Sequence, residues 1–350
     1  MNGLQPVFDG HNDVLTASHR GKLVTGCVEG HIDLPRMRQG GMRGGLFAIW
    51  AESPGDFEVD KPGENRNADG SVSWDEVAPL DYPSAAALAA PIAGRLLALE
   101  SAGHLTLART TADIDAARDG NVPPVAVMHI EGAEMIDRDL EALDFWYAAG
   151  LRSLGPVWSR PNQFGHGVPF TFFTSPDTGP GLTEAGIALV KRCAQLGIAV
   201  DVSHLNERGF WDIARLDLGP VIASHSCVHA LSPASRNLTD AQLDSIGASD
   251  GLVGINYATP FLRADCAVDP STGLNVIAEH VRYIADRIGV RHVALGSDFD
   301  GAPIPDALDD VSGLPHLLTA LADLGFSAPE IDDIAWNNWR RVLDAWWHSA

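Results

Sequence analysis

Eight short apolar runs recur along the 350-residue chain, and stretches of helical pattern separate them. The runs are 6–8, 45–50, 124–130, 152–158, 198–203, 220–224, 252–257 and 292–296. Most are rich in Val, Ile and Leu and lie near Gly or Pro, as strands bounded by turns do. They are near-continuous rather than alternating in polarity, which suits parallel strands covered on both faces. Helical patterns occupy 84–102, with Ser84 as the expected N-cap, then 140–149, 183–196, 206–215, 239–246, 275–288, 314–324 and 328–344. In 183–196 the apolar Ile187, Val190 and Ala194 follow Thr183-Glu184 at helical spacing. Eight strands alternating with helices predict an α/β fold in which the parallel sheet closes on itself, a (β/α)8 TIM-like barrel. The chain is longer than the usual ~250 residues of that fold, so loops and C-terminal helices must take up the surplus. Segment 52–82 has several Gly, Pro, Asp and Asn residues and no period, and reads as a long loop insertion at one barrel mouth. Trp336, Trp339, Trp346 and Trp347 are expected to pack a last helix onto the barrel or onto another subunit. With no internal repeat and no linker, 1–350 reads as a single domain.

Charge narrows the function. There are 24 Lys and Arg against 46 Asp and Glu, a net charge of −22, and such a surface repels phosphate backbones and disfavours nucleic-acid binding. The most apolar stretches, such as 125–128, are far shorter than the ~20 residues of a membrane span. The first residues have neither the basic nor the apolar region of a signal peptide. Cys27, Cys193, Cys227 and Cys266 form no CxxC pair. These features predict a reduced, cytoplasmic protein without a membrane partner.

The polar residues at the strand ends carry the chemistry. Strand one runs into His11-Asn12-Asp13, strand three ends at Glu131, strand five at His204, strand six at His225 and strand eight at Asp298. Barrel active sites are built at these carboxyl ends. His11 and Asp13 are two apart, so in extended backbone both point the same way. An imidazole and a carboxylate together suit zinc or a similar first-row metal. Any one of these residues alone reads better as a loop cap or a hydrogen-bonded rim residue; His11, Asp13, Glu131, His204 and His225 together at the strand ends point to a shared centre. They divide naturally: His11, Asp13 and one oxygen of Glu131 for a first cation, His204, His225 and the other oxygen for a second. Two cations ~3.5–4 Å apart acidify a bridging water and polarise a carbonyl, the requirements of hydrolysis. Asp298, in LGSDFDG, is left over to take and return a proton. Asp300 competes for that role, and spacing does not separate the two.

The segments FDGHND, HIDLPR followed by GGMRGGLFA, HIEGAE, VDVSHL, ASHSCVHAL, SRNLTD, GSDFDG and NNWRRVL span nearly the whole chain. Together they resemble the membrane (renal-type) dipeptidases, a metallopeptidase family of the amidohydrolase barrels. The resemblance implies a binuclear zinc centre, with His11 and Asp13 on one Zn2+, Glu131 bridging, His204 and His225 on the other, and Asp298 handling the proton. It implies that Arg236 grips the terminal carboxylate of a dipeptide, L,D-dipeptides included, and that the chain forms a homodimer. The sequence departs from the family at the end of strand four, where LRSLGPVWS carries Trp158 in place of a substrate-contacting histidine. Tryptophan cannot ligate zinc, although its indole N–H can donate one hydrogen bond. His166 is a candidate substitute or a plain loop histidine, His129 a neighbour that orients a ligand or a core histidine, and Cys227 an additional thiolate ligand that the set does not need. Two other functions stay open: a binuclear amidohydrolase acting on N-acyl amino acids or lactones, and a metal- or ligand-binding barrel without turnover.

Overall fold

The computed structural model describes residues 4–53, 64–67, 71–74, 77–120 and 122–347. Eight strands run around the barrel, β1 Val7–Asn12, β2 Met42–Trp50, β3 Val125–Glu131, β4 Leu151–Gly155, β5 Ala199–Val200, β6 Ile222–Ser226, β7 Leu252–Ile255 and β8 Val293–Leu295, and the short Thr106–Leu107 pairs with the start of β3. Strands β1 to β5 pair in order, as do β6 to β8, all in parallel. Two parallel bridges join the arcs: Asp201 with Ile222 links β5 to β6, and Asn12 with Phe299 links β8 back to β1. The sheet is thus a closed barrel, and each expected strand run overlaps one of its strands. Every side chain of β3 is buried, from Val125 to Glu131, because helices cover the outside and the barrel core fills the inside.

The helices follow local signals. Asn206 caps Glu207–Leu216 by accepting from the Gly209 N–H, and this fixes the chain two residues after His204. Thr183 caps Glu184–Leu196 in the same way, and Gly197 ends that helix in the left-handed region. The helix over 84–102 begins earlier than expected, as Tyr82–Ser101. Its cap is Asp81, whose carboxylate accepts from the Ser84 N–H, so Ser84 is three residues inside. This helix also corrects the expectation about apolar length, since by length and composition it is able to span a membrane. Its Ala85, Ala89, Ile92, Ala93 and Leu96 are buried in the protein core, and Arg95 donates to the Leu15 carbonyl. Among the described residues three α-helices escaped the sequence reading: Leu34–Gly40, Thr111–Arg118 and the single turn Thr259–Leu262.

The 52–82 segment is not wholly a loop. Glu64–Arg66 and Val72–Trp74 pair antiparallel, and Val72–Trp74 pairs in turn with Thr171–Phe172. Part of that segment lies outside the described residues. The C-terminal helix is also interrupted: Ala328–Asp332 and Asn338–Trp346 flank a wide π turn, Asp333–Asn337. The turn delivers Trp336 and Trp339 to Phe8 of β1, at ring distances of 5.7 and 5.9 Å. Trp339 donates to the Leu295 carbonyl, Trp346 to that of Pro220 and Trp347 to that of Arg152. The four tryptophans therefore clamp the last helix to the barrel.

Close packing there requires Gly10, where a Cβ would stand 2.4 Å from the Trp339 ring and 2.5 Å from the Ser224 carbonyl. We expect Gly10→Ala to cost about 1–3 kcal/mol, the usual penalty of overpacking a filled core. Thermal unfolding checks this; a melting temperature equal to the parent's would show that the ring moves aside freely.

Candidate metal centre

All five expected ligands meet at the carboxyl end of the barrel. Glu131, the last residue of β3, points one carboxylate oxygen to each side. Its Oε2 lies 3.5 Å from His11 Nε2, which is itself 3.3 Å from Asp13 Oδ2. Its Oε1 lies 2.8 Å from His204 Nε2 and 3.4 Å from His225 Nε2. The Nε2 atoms of His204 and His225 are 3.0 Å apart, and the rings of His11 and His225 stack at 3.9 Å. His11 is fully buried, yet neither of its ring nitrogens has a hydrogen-bond partner. Burying polar groups unpaired is costly, so an unpaired imidazole among convergent carboxylates and imidazoles is what a metal site looks like in its bare protein frame. The donor set of neutral imidazole and carboxylate suits zinc or a related cation.

At His204 and His225 the electrostatics agree with this frame. Burial, reinforced by Arg236, holds His204 well below the usual histidine range, and burial with His11 does the same to His225. Both are therefore neutral, the form that ligates metals. Burial raises Glu131 to about 7, against the opposing pull of His11. On His11 burial opposes charge, but Glu131 and Asp13 prevail and hold it well above its ordinary value.

Second contacts fix the ring orientations. His225 Nδ1 lies 2.7 Å from Ser224 Oγ, which donates to Asp201 Oδ2 at 2.5 Å. His204 Nδ1 lies 2.8 Å from Ser159 Oγ. In each case the Nδ1 contact directs Nε2 toward the centre. Asp201 also accepts from Ser203 Oγ and from the Ser203 and Ser224 N–H groups. His129 is 2.9 Å from Ser153 Oγ, and its Nε2 is 3.7 Å from Asp201, so it sits behind the centre rather than in it.

The two candidate carboxylates are now distinguishable. A carboxylate oxygen of Asp298 lies within 4.8 Å of ligand atoms of His11 and Asp13, and its Oδ2 accepts from Asn256 Nδ2 at 2.8 Å. Burial raises its pKa, partly offset by His11. Asp300 instead accepts from the His31 N–H at 2.6 Å and lies 3.5 Å from His19 Nε2, tying down the loop after β1.

Arg236 lines the cleft beside the centre. Its Nη1 donates to the Ser203 carbonyl and to Ser226 Oγ, its Nη2 to the His225 carbonyl and His204 Nε2, and its Nε has no partner. Trp158 also lines the cleft, its ring 5.8 Å from that of His204. His166 does not reach it; its ring is held at 3.3 Å by the Gly181 carbonyl. Cys227 Sγ donates to the Asn256 carbonyl, and burial pushes its thiol pKa up, so it does not join the ligands.

Sequence reasoning missed Arg160. Its side chain is fully buried against Glu134 at 2.8 Å, and it also donates to the Ala51 carbonyl and Ser53 Oγ. Its guanidinium lies 5.4 Å from the Trp158 ring and 6.0 Å from Trp50. Arg160 therefore ties the end of β2 to the loop after β4, behind Trp50 and Trp158, which line a cleft of about 820 Å³.

Comparison with known proteins gives this geometry its context. A metallo peptidase from Rhodobacter sphaeroides, liganded with a phosphinate mimic of the dipeptide L-Ala-D-Ala, superposes with a TM-score of 0.91 at 43% identity, covering 98% of this chain and 100% of that one. Dipeptidase AC, a metallo peptidase of family M19, gives a TM-score of 0.90 at 44% identity, covering 98% and 99%. An uncharacterized protein in the pqqA 5′ region of Klebsiella pneumoniae is 48% identical over 251 residues, 72% of this chain and 92% of its own length. The family model of the membrane dipeptidases matches residues 3–347. A barrel whose strand ends gather carboxylates and imidazoles, and whose whole length fits that family, leaves one assignment: the chain belongs to the membrane dipeptidases, peptidase family M19.

Proposed function

We propose that the protein is a dipeptidase that hydrolyses free dipeptides, L,D-dipeptides among them, and that it works with two zinc ions per chain. The observation that carries this is Glu131, whose two oxygens face two separate ligand sets, His11 with Asp13 and His204 with His225. A bound cation pair supplies an acidified water and a polarised carbonyl. The protein's own residues do the rest. Asp298 takes a proton at its carboxylate and gives it to the departing amine, with Asn256 holding Oδ2 in place. Arg236 offers the free carboxylate of the substrate its positive charge and its unpaired Nε–H, which favours short substrates over internal peptide bonds. The four cysteines are unpaired, which supports a reduced, cytoplasmic setting.

The test is turnover of a stereochemically varied dipeptide set by protein stripped with a chelator and then titrated with zinc. Loss on stripping and recovery at two equivalents per chain is the expected result. Full activity in verified metal-free protein would reject the mechanism.

A further inference from the structure

A continuous run of aromatic rings borders the two groups that would hold the dipeptide, the metal centre and Arg236 beside it. At the metal end, the Trp158 ring is 5.8 Å from that of His204. Trp158 meets Phe170 at 5.6 Å, and Phe170 stacks on Phe261 at 6.1 Å with planes 15° apart. The run then returns to the same place, where the Arg236 guanidinium lies 5.9 Å from the Phe261 ring and its Nη2 3.0 Å from His204 Nε2. Trp50 extends the run beside Trp158 at 5.1 Å, and Trp74 backs Phe170 at 5.2 Å. All five aromatic residues line the cleft.

In a dipeptide the residue between the scissile carbonyl and the free carboxylate is the carboxyl-terminal one. With the carbonyl at the metal centre and the carboxylate at the neighbouring Arg236, that residue has the arc of Trp158, Phe170 and Phe261 as its wall, because the two ends of the arc border those two groups. We propose that this wall is a subsite for a large apolar side chain, aromatic or branched aliphatic, on the carboxyl-terminal residue, and that Trp158 and Phe170 set the preference. The inference rests on the dipeptidase reading. Aromatic rings offer broad apolar area and favour offset or edge-on contact with another ring. A charged side chain placed there loses its water without gaining a partner. Space permits a large group, since about 820 Å³ lies in the upper part of the range for ligand pockets.

The experiment measures kcat/KM of the zinc-loaded protein on L-Ala-X dipeptides, with X as Ala, Leu, Phe or Asp in both stereochemistries. The parent is compared with Trp158→Ala and Phe170→Leu. We expect the parent to favour Leu or Phe over Ala by about tenfold or more and to turn over Asp poorly. Both variants should shrink the Phe-to-Ala ratio, mainly through KM. Hydrolysis with a flat or inverted side-chain preference overturns the subsite and leaves the dipeptidase reading standing. No hydrolysis of any dipeptide overturns that reading, and the subsite with it. Should Trp158→Ala fail to fold, the parent series and Phe170→Leu decide the matter.

Discussion

Glu131→Gln should abolish paired metal binding and reduce dipeptide turnover on the order of 10⁴-fold, the scale seen when one of several groups acting as a unit is removed. The reason is positional. Asp13 remains beside His11 as the one carboxylate left in the set after the substitution, at 3.3 Å. On the other side, His204 and His225 have no carboxylate within ion-pairing distance except Glu131 among the described residues. Their half of the centre would keep two neutral imidazoles and an amide oxygen, a weak set for a divalent cation. The variant should therefore bind at most one zinc. Thermal unfolding gives an independent readout, because a ligand that binds only the folded state raises the melting temperature. Zinc should raise the melting temperature of the parent well above that of the stripped protein, and this increment should shrink in Glu131→Gln. Two tightly bound zinc ions and near-parental turnover in the variant would remove Glu131 from the bridging role.

The parts of this centre that were legible in the sequence share one property: a local pattern announces them. A buried strand ends in an abrupt change of polarity, as VAVMHI does at Glu131, and the closed sheet then has to bring such ends together. His11, Asp13, His204, His225 and Asp298 were visible for the same reason. The helix Leu34–Gly40 was legible in principle and missed, since Asp33 as N-cap, Pro35 in the first turn and a left-handed Gly41 bracket it. So was Thr111–Arg118, behind the Thr110–Asp113 capping box. Other features had no local signal. Arg160 and Glu134 are 26 residues apart, and only the packing of the loops after β3 and β4 buries them as a pair. The contacts of Asp201 with Ser224, and of Ser159 with His204, depend on neighbouring strands in register. The choice between Asp298 and Asp300 was likewise tertiary, because residues 19–31 claim Asp300.

That choice yields the second large expectation. Asp298→Asn should lower kcat by roughly 10²–10⁴-fold, the usual worth of a positioned acid–base group. Both zinc ions should stay bound, because the five ligands are untouched. The substitution keeps the shape of the side chain, which matters in so tight a place: Asp298 has a positive φ of 61°, a conformation that Asn tolerates. Gly301 leaves room beside it, since a Cβ there would stand 2.2 Å from Asp13 Oδ2 and 2.6 Å from Asp298 Oδ1. The amide can turn its oxygen toward Asn256 Nδ2 and preserve that hydrogen bond. What it cannot do is accept a proton at its nitrogen, and so the loss should fall on kcat while KM changes little. Asp300→Asn is the matched control. Its carboxylate serves the loop over residues 19–31, and its effect on kcat should stay within about tenfold, through loop position rather than proton transfer. A parental rate from Asp298→Asn with two metals bound, or a larger defect from Asp300→Asn, would reverse the two assignments. Either result would place the proton-carrying group at Asp300, beside His19 and His31.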